Sequence, residues 1–303
     1  MPSVRVLSFD FDGCLFNKHY KWQSTAARRS LNAVIVQNKS FLDAIKIENT
    51  LYREVSAFIG SARQSNWLDK ANSRRNDTEL CFDAIQKVCH YLDIEFNPLL
   101  LTDVYQGLPV GTSYWRATGA ESGHNLDFPG DETKLTLLYA QMHAAALEYP
   151  NDTIIFDFYD DRDHDTPHAR GILSFLSQVF KEYPQLIPSN VLLRLNHYAG
   201  DRPSVFGVIK GRGECERYYG SKINAIFTSL GDDETMIRFD NLLPHLHLMM
   251  ISSQKETKLP VKLLRSMTQS TVTWGIFSPF LIKNRYLRRP DTPPCAPMNA
   301  VAF

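Results

Sequence analysis

The chain has 303 residues, of which 44% are hydrophobic, 22% charged and 12% aromatic. That composition excludes a disordered chain, a collagen and a coiled coil, and the length suffices for one large α/β domain with an appendage or for two modest domains. Thirty-three basic residues balance 33 acidic ones, so the whole chain calls for no polyanionic partner and no nucleic acid is expected. The balance is uneven, because from Lys255 to Phe303 eight basic residues face two acidic ones. The tail is therefore a separate electrostatic object.

The cysteines (Cys14, Cys81, Cys89, Cys215 and Cys295) are odd in number, scattered and without a CxxC pair. They form the pattern of neither a zinc site nor a disulfide framework, and they suit a reducing compartment. No secretory signal is read at the start, and the longest nearly uncharged apolar stretch, Thr271 to Ile282, is too short to span a bilayer. The expectation is a soluble, cytoplasmic protein.

In chain order, Val4 to Phe9 is β-branched and apolar and ends in Asp10-Phe11-Asp12-Gly13, a buried strand running into a carboxylate-bearing turn. Helical material follows from about Gln23 to Tyr52, then a strand, Val55 to Ile59, ending at Gly60-Ser61. Leu80 to Leu92 carries apolar residues at helical spacing, and Leu99-Leu100-Leu101 reads as a third strand. Residues 107–130 read as a loop or small insertion, after which Asp131 caps a helix starting at Glu132. A fourth strand, Thr153 to Tyr159, ends in Asp160-Asp161; a helix from Ile172 to Phe180 and a strand from Val191 to Leu195 complete the alternation. Strands alternating with helices predict an α/β fold, a doubly wound parallel sheet with its functional edge at the carboxyl ends of the strands. This core spans 1–219. From 220 to 303 the alternation is lost, and a mainly helical extension with a basic tail is expected.

The strand ends deliver Asp10 and Asp12, then Ser61, then Asp160 with Asp161, while Lys134 opens the helix before the fourth strand. This order resembles the haloacid dehalogenase-like (HAD) superfamily of phosphohydrolases over roughly residues 4 to 200. The DxDx[TV] motif of that family is matched by Asp10-Phe11-Asp12-Gly13-Cys14, with Cys14 in place of the usual Thr or Val. Its Ser or Thr is matched by Ser61, its lone Lys by Lys134 and its acidic motif by Asp160-Asp161. The resemblance implies a Rossmann-like core with small cap insertions and a Mg²⁺-dependent phosphatase working through an aspartyl-phosphate. Asp12, where family members acting on phosphate esters carry Asp, favours phosphatase or phosphomutase over dehalogenase.

Elementary chemistry runs parallel to the resemblance. A phosphate monoester is dianionic, so its charge must be neutralised before a nucleophile attacks. Asp10 suits the nucleophile and Asp12 the acid and base. Ser61 and Lys134 suit the phosphoryl oxygens, and Lys134 is expected to lower the pKa of Asp10. Clustered carboxylates call for a cation, and Mg²⁺ prefers oxygen ligands; Asp10, the Asp12 carbonyl and Asp160 or Asp161 are its candidate ligands, with Asp157 and Asp165 as competitors.

Weaker signals have plainer readings. Arg63 could touch the phosphate or substrate but reads more simply as a surface arginine; Asp163-His164-Asp165 with His168 could bind a transition metal but reads more simply as a polar loop; His245 and His247 read as packed or surface histidines, and Gly211-Arg212-Gly213 as a turn rather than a P-loop. In the tail, Trp274, Phe277, Phe280 and Leu281 precede Lys283, Arg285, Arg288 and Arg289, an aromatic-plus-basic order found in weak membrane-surface contacts, although a helix packed on the sheet explains it more simply. Small insertions leave the site open, which favours phosphoproteins or other large phosphorylated substrates. The competing expectation is a catalytically silent scaffold of the same fold that engages membrane or protein partners through its tail.

Overall fold

The computed structural model describes residues 3–21, 33–65, 68–69, 80–118, 130–166, 170–230 and 236–250. The elements are β1 (Ser3–Phe9), α1 (Lys18–Lys21), α2 (Ala33–Gln37), α3 (Lys39–Asn49), β2 (Glu54–Ile59), α4 (Cys81–Leu92), β3 (Glu95–Phe96), α5 (Leu101–Gln106) and α6 (Thr112–Thr118). They continue with α7 (Leu135–Glu148), β4 (Thr153–Asp160), α8 (Ile172–Glu182), β5 (Val191–His197), β6 (Ser204–Lys210), α9 (Tyr219–Ser229), α10 (Phe239–Leu242) and α11 (Leu246–Met250). The helices expected at Lys258 to Met267 and Trp274 to Arg289, and the aromatic-basic tail, lie outside the described residues. Among the described residues, no helix is long and apolar enough to cross a membrane.

The strands form one sheet in the order β3-β2-β1-β4-β5-β6, parallel throughout except for β6. The order reverses between β1 and β4, the crevice where open α/β sheets place their ligands. Central β1 is buried on both faces. Leu7 and Phe9 pack into the apolar cluster with α2, α3 and α4, whereas the Ser8 hydroxyl donates to Gln141 of α7 on the opposite face, at 2.7 Å.

Arg5 also lies within β1, fully buried. It donates to Asp157 at 2.7 Å, Asn49 at 2.8 Å and Glu48 at 2.8 Å, and Arg194 of β5 donates to the same Asp157. The parallel register sets Arg194 directly beside Asp157. Asp157 is thus committed to two guanidinium groups on the face of the sheet away from α7, where a strand's alternation puts it opposite Asp160.

Helix α7 is apolar around almost its whole circumference and buried from Leu135 to His143, as a helix covered on both sides must be. One side meets β4 and the other meets α9, and the described helices beyond residue 219 belong to the same compact unit as the sheet.

Three local expectations are corrected. The Leu99-Leu100-Leu101 run is not the third strand; pairing with β2 is made by Glu95–Phe96, and Leu101 begins α5. Polar side chains end the ladder here: Asn97 accepts the Leu99 N–H, and Gln64 accepts that of Leu101. The helix expected from Glu132 begins at Leu135, because the Asp131 carboxylate takes up the Thr133 and Thr136 N–H groups and Lys134 turns left-handed. Finally, within the segment read as a loop or small insertion over 107–130, Thr112–Thr118 form helix α6, and strand β6 was not foreseen.

His143 is buried on α7, its Nδ1 accepting the Glu216 N–H at 2.9 Å and its Nε2 facing the Leu186 carbonyl at 3.2 Å. The ring is therefore neutral with the proton on Nε2, and burial pushes its pKa down from 6.5 to about 4. Below pH ~6.5 the unfolded chain binds a proton that the native chain refuses, so this stability is complete above pH ~6.5 and is lost as pH falls toward ~4, by roughly 1.4 kcal/mol per unit. Asp10, raised by burial, acts in the opposite sense over an overlapping range, so the comparison is with His143→Gln. Urea unfolding should show the stability gap between wild type and variant narrowing by about 3 kcal/mol from pH 7 to pH 4; a constant gap would contradict this assignment.

Candidate active site

The switch point between β1 and β4 gathers the acidic residues. The Asp10 N–H pairs with the Tyr159 carbonyl at 2.9 Å, which sets Asp10 beside Asp160 at the carboxyl ends of the two strands. Asp10, Asp160 and Asp161 each offer an oxygen, and the three lie within 4.8 Å of one another. Like charges at that spacing repel by about 3 kcal/mol per pair at an effective dielectric constant near 20.

One buried ammonium answers them. Lys134 Nζ lies 2.7 Å from Asp10 Oδ1 and 2.6 Å from Asp160 Oδ2, over the Phe158 ring at 5.6 Å from its centroid. Burial alone would lower the Lys134 pKa, but the two carboxylates win and push it up to about 12. For Asp10 burial prevails over Lys134, and its pKa rises to about 7. The expected effect of Lys134 is present, since it acts to lower the Asp10 pKa, but the water-excluded position and the neighbouring acids outweigh one ammonium.

Asp161 is the member left over. Its buried Oδ1 has no hydrogen-bond partner, and a buried oxygen in that condition costs about 1–3 kcal/mol. Gly13 makes room for it: a Cβ there would stand 2.0 Å from Asp161 Oδ2, and Gly13 has a φ of +88° that side chains avoid. The chain thus keeps a close approach for an oxygen that no described group satisfies. An all-oxygen set of this kind has the chemistry to hold a hard divalent cation. Of the competing acids, Asp157 is taken by arginines, and Asp165 is exposed and accepts the Gly171 N–H.

Ser61 follows β2 and is buried. The β1–β2 register puts Gly60 beside Asp10, and Gln64 fixes the loop by donating to the carbonyls of Ile59 and Ser61. Cys14 packs in the apolar cluster, and burial with the nearby carboxylates pushes its thiol far up, so it is a filler and no nucleophile.

Asp12 is half-exposed and held by Arg63, whose Nε and Nη2 donate to its two oxygens at 2.8 and 2.7 Å. Arg63 is no surface arginine: it is 5% exposed, stands over the Phe11 ring, and also pairs with buried Asp69 at 3.1 Å. Asp69 in turn accepts the Cys81 and Phe82 N–H groups at the start of α4. Sequence reading missed this bridge; the available signal was the place of Arg63 two residues after Ser61. The plainer readings of the histidines fit their contacts, His245 facing Ser229 and His247 the Pro244 carbonyl. His164 rests against Phe206, while His168 lies outside the described residues.

No family model, curated protein or solved structure matches the chain, so the functional reading rests on these residues and their geometry.

Replacing Arg63 leaves buried Asp69 without its guanidinium and frees Asp12. Arg63→Met should cost about 3 kcal/mol in urea unfolding at pH 7; a loss below about 1 kcal/mol, the value of an exposed pair, would contradict the buried bridge.

Proposed function

We propose that the chain is a Mg²⁺-dependent phosphomonoester hydrolase working through an aspartyl-phosphate on Asp10. The observation that carries this reading is the convergence of Asp10, Asp160, Asp161 and Lys134 at the sheet's switch point, in the chain order that resembles the HAD superfamily. Asp10, Asp160 or Asp161 and the Asp12 carbonyl would hold the ion, and the unpaired Asp161 oxygen fits that use. When bound, the ion supplies positive charge to the substrate phosphate and relieves the repulsion among the acids.

In this reading an Asp10 carboxylate oxygen attacks phosphorus. The bond from phosphorus to the leaving oxygen breaks, and Asp12 gives that oxygen a proton. Asp12 then removes a proton from water, whose oxygen bonds to phosphorus as the Asp10–phosphorus bond breaks, releasing orthophosphate. Ser61 and Lys134 hold the phosphoryl oxygens. Arg63 occupies both oxygens of Asp12, so one of those two hydrogen bonds opens whenever Asp12 carries a proton. The half-exposed Asp12 supports access by large substrates, phosphoproteins among them. The free thiols of Cys14, Cys81, Cys89 and Cys215 support a cytoplasmic location.

The test is hydrolysis of an aryl phosphate and a phosphopeptide panel, with and without Mg²⁺. Turnover should require Mg²⁺ and fall by about three orders of magnitude or more in Asp10→Asn. Turnover that survives Asp10→Asn would overturn the mechanism. A folded protein that neither turns over these substrates nor binds Mg²⁺ would favour the scaffold reading instead.

A further inference from the structure

Lys134 stands in an unusual backbone conformation, with φ 60° and ψ 9° at the threshold of α7. The other described non-glycine residue with positive φ, Asp93, closes a helix, where that conformation is common. At a helix start the capping residue is ordinarily extended, and the left-handed region is disfavoured for a residue with a side chain because its Cβ crowds the following carbonyl oxygen. Something must hold Lys134 there.

Asp131 supplies the hold. One of its oxygens accepts the Thr133 N–H at 2.8 Å and the Thr133 hydroxyl at 2.6 Å; the other accepts the Thr136 N–H at 3.0 Å and the Thr136 hydroxyl at 2.6 Å. These four bonds bracket Lys134 from both sides. The Thr133 hydroxyl oxygen also accepts the Leu135 N–H at 3.2 Å, so the first two N–H groups of α7, Leu135 and Thr136, are satisfied by side chains other than that of Lys134. Asp131 is itself pinned: Ile237 donates to the Gly130 carbonyl at 2.9 Å and accepts the Glu132 N–H at 3.0 Å. The bracket is buried.

We propose that Asp131 is a positioning residue of the candidate site, acting through Lys134: it imposes the left-handed turn that carries the Lys134 ammonium between Asp10 and Asp160. Return of Lys134 to ordinary φ would swing its Cα–Cβ bond, and with it the ammonium, away from both acids. The proposal rests on the reading of Lys134 as a phosphoryl-holding group, and it adds a residue that never touches the substrate.

The experiment uses the full chain as wild type, Asp131→Asn, Lys134→Met and the double variant. Asn is isosteric, but its amide nitrogen cannot accept the Thr136 hydrogens. The aryl-phosphatase kcat should fall about a hundredfold in Asp131→Asn, and the double variant should be no slower than Lys134→Met alone. In a crystal structure of Asp131→Asn the Lys134 ammonium should have left Asp10. Multiplying losses in the double variant, or an unmoved ammonium, would overturn the proposal and leave Asp131 a plain helix cap. If wild type hydrolyses nothing, the phosphatase reading fails while the crystal structure still decides the role of Asp131. Should Asp131→Asn not fold, Thr136→Val, which removes one of the four bonds, takes its place with the same expected direction.

Discussion

Three carboxylates at one sheet edge repel one another, and the single ammonium placed among them is the interaction on which the surrounding structure depends. Lys134 touches Asp10 and Asp160 within 2.7 Å, in a position closed to water. Neither solvent nor a mobile surface lysine could do this. The ammonium must arrive from a fixed backbone, which accounts for the left-handed turn at Lys134, for the four hydrogen bonds that Asp131 makes around it, and for the pairing of Ile237 with both flanks of Asp131. A chain of causes thus runs from the charge at the strand ends to the segment after α9.

The same rule governs several other charges. Arg5 and Arg194 answer Asp157, and Arg63 answers Asp12 and Asp69. Such pairs contribute little net stability compared with apolar packing, but removal of one partner strands the other at a cost of several kcal/mol. Their effect is to commit each acid to a place. Asp157 is spent on holding β1, β4 and β5 together, Asp69 on starting α4, and Asp12 on a bridge that leaves it half-exposed at the site. Asp161 keeps a buried oxygen with no hydrogen-bond partner among the described residues, and that oxygen is the one the proposed cation would take up.

Much of this was legible in the sequence because the strands announce themselves. Val4 to Phe9, Val55 to Ile59 and Thr153 to Tyr159 are apolar and β-branched, and each ends in the residue that the sheet then delivers to its edge. The edge strands were harder to read. Glu95–Phe96 is too short to carry an alternating pattern, and the nearby Leu99–Leu101 is more apolar; there, the backbone N–H groups of Leu99 and Leu101 donate to Asn97 and Gln64, which overrules apolar content. β6 pairs antiparallel and carries Val205 and Val208 exposed, so it lacks the pattern of a buried parallel strand. The burial of Arg63 and of Asp131 was harder to read, since burial of a charge depends on partners distant in sequence; for Arg63 the local signal was its place two residues after Ser61. The place of Arg63 is decided by Asp12, 51 residues away.

The proposed mechanism requires that Asp10 become covalently phosphorylated. The direct measurement is borohydride trapping during turnover of an aryl phosphate with Mg²⁺, followed by peptide mass spectrometry of the full chain. An aspartyl-phosphate at the proposed nucleophile would be reduced to homoserine at position 10, and Asp10→Asn would yield none. Turnover with an unmodified position 10, or trapping at another carboxylate, would contradict the account.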